Sequence, residues 1–117
     1  DQVAYLGHCH LENSANGGFH KAITGQKEPL LDEHLRHAET VVSNIHKWGY
    51  RGHLGIDAFV ADTLHPIIEI NPRKTMGWLA LQVAKKRGTS ITLICGKMEQ
   101  GLLPIRKKAL NVAIREN

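Results

Sequence analysis

The chain has 117 residues, which suits one domain with a modest core, and no apolar run is long enough to span a bilayer. Hydrophobic content of 42% and charged content of 22% are those of an ordinary globular protein. The formal net charge of +4 is mild, and its basic residues are scattered apart from Lys85-Lys86-Arg87 and Arg106-Lys107-Lys108. Such triplets belong on solvated helix faces or at helix C-termini more often than on nucleic acid, so neither a nucleic acid nor a membrane is an expected partner.

In chain order, residues 3–12 are mostly apolar or aromatic and read as a strand. Asn13-Ser14-Ala15-Asn16-Gly17-Gly18 is a strong turn signal, and Phe19 to Thr24 reads as the returning strand of a hairpin. Pro29 opens a helix running to about Trp48. Leu31, Leu35, Ala38, Val42 and Ile45 recur at four- and three-residue steps and give it one apolar stripe. Asp32 and Glu33 complement its positive end, and Gly49 suits its stop.

Residues 55–73 read as two strands joined by a turn centred on Thr63. That register sets Ala61 opposite His65, Phe59 opposite Ile67, Asp57 opposite Glu69 and Gly55 opposite Asn71. One face then carries Ile56, Ala58, Val60, Pro66, Ile68 and Ile70, which the preceding helix would cover. The other carries Asp57, Glu69 and Asn71, with Gly55 leaving open space beside them. A slip of one residue would scramble both faces. Two carboxylates about 5 Å apart repel by about 3 kcal/mol at an effective dielectric near 20, which a sheet built for stability alone would avoid. A divalent cation between them reverses the sign. Hard oxygen donors without His or Cys suit Mg²⁺, and Arg73 adds a guanidinium for phosphate. On spacing alone, a solvated face with two unrelated acids remains the alternative.

Thr75 is a plausible N-cap for a helix from Met76 to Arg87 with Gly88 as its stop. Ser90 to Cys95 reads as a buried strand, and Ile105 to Arg115 as an amphipathic helix with Ala109, Val112 and Ala113 inward. Cys9 and Cys95 read as buried free thiols in a reducing cytoplasm, with a disulfide between them as the alternative. Eight His residues invite a zinc reading. Strand alternation, however, turns Cys9 away from His8 and His10, and helix-surface pairs such as His34 and His37 rarely hold metal. His65, in the turn, is expected to be solvated.

Gly-Ile-Asp-Ala-Phe-Val at 55–60, followed by Glu-Ile-Asn-Pro-Arg at 69–73 and Thr75-Met76-Gly77, resembles the metal-binding hairpin of the ATP-grasp superfamily across about residues 49–78. The resemblance implies an α+β fold, an antiparallel sheet packed by helices, equivalent to the family's C-terminal lobe. Asp57, Glu69 and Asn71 would hold one or two Mg²⁺ ions, with Mn²⁺ as an alternative, bridging the phosphates of ATP. Arg73, the catalytic residue, would contact the γ-phosphate or an acyl-phosphate intermediate, and Asn71 and Arg73 would serve nucleotide binding. The family often has Glu where this chain has Asp57, a shorter carboxylate that can still ligate a metal. Asn16, His20 and Lys21 are weaker candidates for substrate contact.

The family holds nucleotide between two lobes, and no Gly-rich phosphate loop precedes residue 55. Residues 1–117 are therefore expected to be a single domain, the C-terminal fragment of a longer ATP-grasp protein. The implied activity is a carboxylate–amine (or carboxylate–thiol) ligase with small-molecule carboxylate and amine substrates, and a homo-oligomer is open. The alternative is a non-catalytic binding or assembly module on the same scaffold.

Overall fold

The computed structural model describes residues 2–13, 19–94 and 105–115. Among these described residues, six strands and two helices follow in the order β1 (Gln2–Asn13), β2 (Phe19–Ile23), α1 (Leu31–Lys47), β3 (Gly52–Val60), β4 (Leu64–Asn71), α2 (Met76–Arg87), β5 (Thr92–Ile94) and β6 (Ile105–Arg115). The strands form one sheet in the order β4-β3-β6-β1-β2-β5, and every neighbouring pair is antiparallel. This is the expected α+β architecture. Among the described residues no helix is long and apolar enough to cross a membrane.

The helices form where their caps and stripes demand. Helix α1 carries Asp32 and Glu33 in its first turn and ends before Gly49, whose φ of +96° suits a residue without Cβ. The Gly49 N–H donates to the His46 carbonyl at 2.9 Å, satisfying one of the orphan acceptors of the last turn. Helix α2 begins at Thr75, whose hydroxyl accepts from the Trp78 N–H, and stops at Gly88 in the left-handed region. Lys85, Lys86 and Arg87 occupy its last turn, where they complement the helix dipole.

Two small cores lie on opposite faces of the sheet. On one, Ala38 and Val42 of α1 pack against Leu54 and Ile56 of β3, with Leu31, Leu35, Ile45 and Ile67 around them. On the other, Ala80 of α2 packs with Cys9, Leu11 and Ala22, flanked by Leu81, Ile91 and Leu93. The alternation of β3 requires this division. Leu54 and Ile56 face α1, so Gly55 between them faces Thr75 and the start of α2.

Three sequence expectations need correction. Ile105–Arg115 is a strand, not a helix: it lies between β1 and β3 and pairs with both, so its backbone finds partners far away in sequence. Ser90 to Cys95 is not a buried strand. Within its described residues only Thr92–Ile94 form a strand, the edge strand β5, with Ile94 62% exposed; Cys95 lies outside the described residues. The β3–β4 register is as expected at Gly55–Asn71 and Asp57–Glu69, but it shifts before the turn, where Phe59 pairs with His65 instead of Ile67. Pro66 has no N–H for a ladder, and a strand proline belongs at such an irregularity. The shift stacks His65 on Phe59 with ring centroids 4.3 Å apart. It also leaves Ile67 against the α1 core while Ile68 is 39% exposed.

Ile56→Ala opens a cavity at a fully buried position and should lower the unfolding free energy by about 2–5 kcal/mol, whereas Ile94→Ala at the edge should change it by less than about 0.5 kcal/mol. Urea titration of both variants measures the difference; equal losses would contradict the two-core description.

Candidate functional site

The carboxylates meet as the register requires. Asp57 on β3 is directly opposite Glu69 on the edge strand β4, and Asn71 is opposite Gly55 two residues along. All four share the α2 face, because alternate residues of paired strands stay together. Asp57 is buried at 7% exposure, while Glu69 is exposed. The central strand supplies the buried side of the pair and the edge strand the solvent side.

Arg73 follows at once. Its backbone N–H donates to the Asn71 carbonyl at 2.8 Å, which turns the chain sharply after Pro72. Its Nη2 donates to Asn71 Oδ1 at 3.4 Å and its Nη1 to the Lys74 carbonyl at 3.3 Å, so the exposed guanidinium stays beside the third oxygen donor. Next to it, Lys74 Nζ lies 4.8 Å from the centre of the Trp78 ring, with His53 meeting that ring edge-on at 5.5 Å. The structure therefore brings Asp57, Glu69, Asn71 and Arg73 together.

Among the described residues, no three or more His, Cys, Asp and Glu side chains are grouped to hold a metal ion. The local donor set is two carboxylates and one amide. That is too few for an all-protein cage, but it fits Mg²⁺, which keeps several waters or phosphate oxygens in its octahedral shell.

The space over Gly55 is not open. A Cβ there would lie 2.7 Å from Thr75 Cγ2, so the threonine methyl packs onto the glycine backbone. Thr75 Oγ1 accepts from the Trp78 N–H at 3.2 Å and donates to Asn111 Oδ1 at 2.8 Å. Asn111, on β6, pairs in register with Gly55 on one side and Gly7 on the other, and it is 2% exposed. Its Nδ2 has no hydrogen-bond partner among the described residues, a state that costs about 1–3 kcal/mol, against about 1 kcal/mol for the bond that Oδ1 makes. Sequence reading missed Asn111; its signal was a lone amide inside the apolar run from Ala109 to Ile114.

The remaining candidates lie elsewhere. Lys21 forms an ion pair with Glu12 at 3.0 Å, and alternation with Ala22 puts it on the face away from Asp57. Asn16 lies outside the described residues, as does the His20 side chain. His8 hydrogen-bonds to Tyr5 Oη at 2.8 Å, and His10 lies 3.3 Å from Glu28 and 3.8 Å from Glu12. His34 is fully buried in α1 while His37 is exposed. A groove of about 430 Å³ between β1 and α1, lined by Val3, Tyr5, Leu35, Ala38, Val42 and His46 among others, also opens on the face away from Asp57. Cys9 shares a row of the sheet with Asp57, yet its free thiol donates to the Gly77 carbonyl at 3.4 Å and burial pushes its pKa up to about 12. It is no nucleophile at neutral pH.

A family model of the ATP-grasp domain matches residues 3–77, well over half of the chain and including all four residues of the hairpin site. Compared with curated proteins and with solved structures, the chain shows no significant match to either.

Gly55→Ala should lower stability by about 1–3 kcal/mol through its collision with the Thr75 methyl. Adding Thr75→Ser, which keeps the hydroxyl and removes that methyl, should restore most of the loss in urea titration; additive losses would contradict the contact. For Cys9, the folded state keeps a proton that the unfolded chain releases near the ordinary value of 9.0. Its contribution is full below that pH, falls as pH rises toward about 12, and then levels off. Between pH 8 and 10.5, stability should therefore drop more steeply in the parent than in Cys9→Ala.

Proposed function

The chain belongs to the ATP-grasp family, and on that premise we propose that it is the ATP- and Mg²⁺-binding lobe of a carboxylate–amine ligase working through an acyl phosphate. The observation that carries this reading is the Asp57–Glu69 pair, set opposite each other with Asn71 and Arg73 adjoining. Like charges in that position weaken a sheet unless a cation lies between them. The lobe is proposed to work with a second lobe of a longer protein, in the cytoplasm, a setting that accords with the free thiol of Cys9.

Asp57, Glu69 and Asn71 are the residues that would hold Mg²⁺. Bound there, the ion would neutralise charge on the ATP phosphates, the main task in phosphoryl transfer. Arg73 has a separate part. Its guanidinium, kept beside Asn71, can follow the γ-phosphoryl group as the bond to ADP breaks and a bond to a substrate carboxylate oxygen forms. The amine substrate then attacks the acyl carbon, inorganic phosphate leaves, and the surplus amine proton goes to solvent. Helix α2 begins three residues after Arg73, so its positive end adds to the field on the phosphates.

Calorimetric titration of the complete protein with Mg·ADP tests the site, and Glu69→Gln and Asn71→Ala test its chemistry. Each substitution should lower ATP-dependent turnover at least about 100-fold while the melting temperature stays within a few degrees. Near-normal turnover in both would overturn the ligase assignment. Mg·ADP binding with no turnover on any carboxylate–amine pair would favour a non-catalytic module instead.

A further inference from the structure

We propose that Asn111 is a positioning residue for Arg73, acting across the sheet through Thr75. It lies on β6, outside the family match at 3–77 and remote in sequence from the hairpin. The inference rests on the Mg·ATP reading above for its consequence and on geometry for its mechanism.

Pro72, Arg73 and Lys74 form a short arch, and both ends of the arch rest on one glycine. At the near end Asn71 pairs with Gly55 in the ladder. At the far end Thr75 comes back over the same glycine, its Cγ2 2.7 Å from where a Cβ would be. Pro72 fixes its own φ, and the Arg73 N–H is tied to the Asn71 carbonyl. The far end of the arch is fastened by Asn111, which accepts from Thr75 Oγ1 at 2.8 Å. Asn111 pairs with Gly55 along β6, so the arch, the glycine and the amide are stacked in one row of the sheet.

The choice of residue supports this role. An apolar side chain at this 2%-exposed position would spare the Nδ2 that has no partner among the described residues, but it would take the acceptor from the Thr75 hydroxyl, so what the amide gains in return is the bond to Thr75. Fold stability alone does not account for an amide there. A hydrogen bond that holds the arch does, because Arg73 has few anchors of its own: its guanidinium contacts are at 3.3 Å to Lys74 within the arch and 3.4 Å to Asn71 at its near end. Gly77 is part of the same fit, since a Cβ there would lie 3.3 Å from Asn111 Nδ2.

The test uses the complete protein with Asn111→Leu, which removes the acceptor, Thr75→Val, which removes the hydroxyl, and Thr75→Ser, which keeps it. Amide hydrogen exchange without nucleotide should speed up at least about tenfold from Arg73 to Trp78 in N111L and T75V. It should stay at the parent rate in T75S and throughout β1 and β2. Mg·ADP affinity should fall about tenfold in N111L, the scale seen for groups that orient a metal site from outside it, and be retained in T75S. In an Arg73→Ala background, N111L should add no further loss. Unchanged exchange in both N111L and T75V would overturn the proposal, as would an equal N111L penalty with and without Arg73. If N111L fails to fold, Asn111→Ala, which also removes the acceptor and leaves the Thr75 cap of α2 in place, decides by the same readouts. If the parent binds no Mg·ADP, the functional reading falls, while exchange still decides whether Asn111 holds the arch.

Discussion

Strand β6 holds the molecule together. It pairs with β1 on one side and β3 on the other, and every other strand belongs to one of the two groups that it joins. One group is β3 and β4 with α1 and its core around Leu54 and Ile56. The other is β1, β2 and β5 with α2 and its core around Cys9 and Ala80. An isolated two-stranded hairpin is marginal in water, and each core here is small. Joined through the backbone of β6, they make a six-stranded sheet with a helix on each face. The hairpin site also lies across this junction. Its acids come from one group, and the helix that starts beside Arg73 packs on the other.

The electrostatics of the hairpin follow from where each acid is placed. Asp57 is on an interior strand, shielded from water, while Glu69 is on the edge strand and faces solvent. A buried carboxylate is a costly group to keep charged, and a neighbouring charge of the same sign makes it more so. In the proposed site, a shielded and an exposed oxygen would together suit a ligand that brings positive charge and its own coordination water. Arg73 is outside this pair and bonded to the amide of Asn71. In the proposed site the guanidinium and the carboxylates would address different parts of a phosphate ligand.

Much of this was legible in the residues. The two-residue period placed Asp57 opposite Glu69 and Gly55 opposite Asn71, because a slip would have turned the apolar set outward. The stripe from Leu31 to Ile45 and the caps at Thr75, Gly49 and Gly88 were equally local signals, and the helices formed on them. What could not be read depended on distant partners. Ile105–Arg115 has apolar spacing compatible with either a helix or a strand, and the strands that settle the matter are at the opposite end of the chain and in its middle. Gly55 was read as open space, since nothing local shows that the methyl of Thr75 fills it. The shift at Phe59 belongs to a third kind. Pro66, which lies within it, was visible, but period alone carries no rule for where a proline breaks the ladder.

The central place of β6 also bears on the order in which the molecule can assemble. It follows every other described strand in sequence, yet it occupies an interior slot of the sheet. Until it arrives, β1 and β3 each present an unpaired edge, of the kind that recruits strands from other chains. The half around α1 can collapse early, since its contacts are near in sequence, whereas the half around α2 joins Cys9 to Gly77 and Ala22 to Leu93 across the whole of that first half. Closure must then wait for pairings that span most of the chain, the slow class of event in folding. A folding chain is thus exposed to intermolecular pairing for longest at the edges that β6 will later cover.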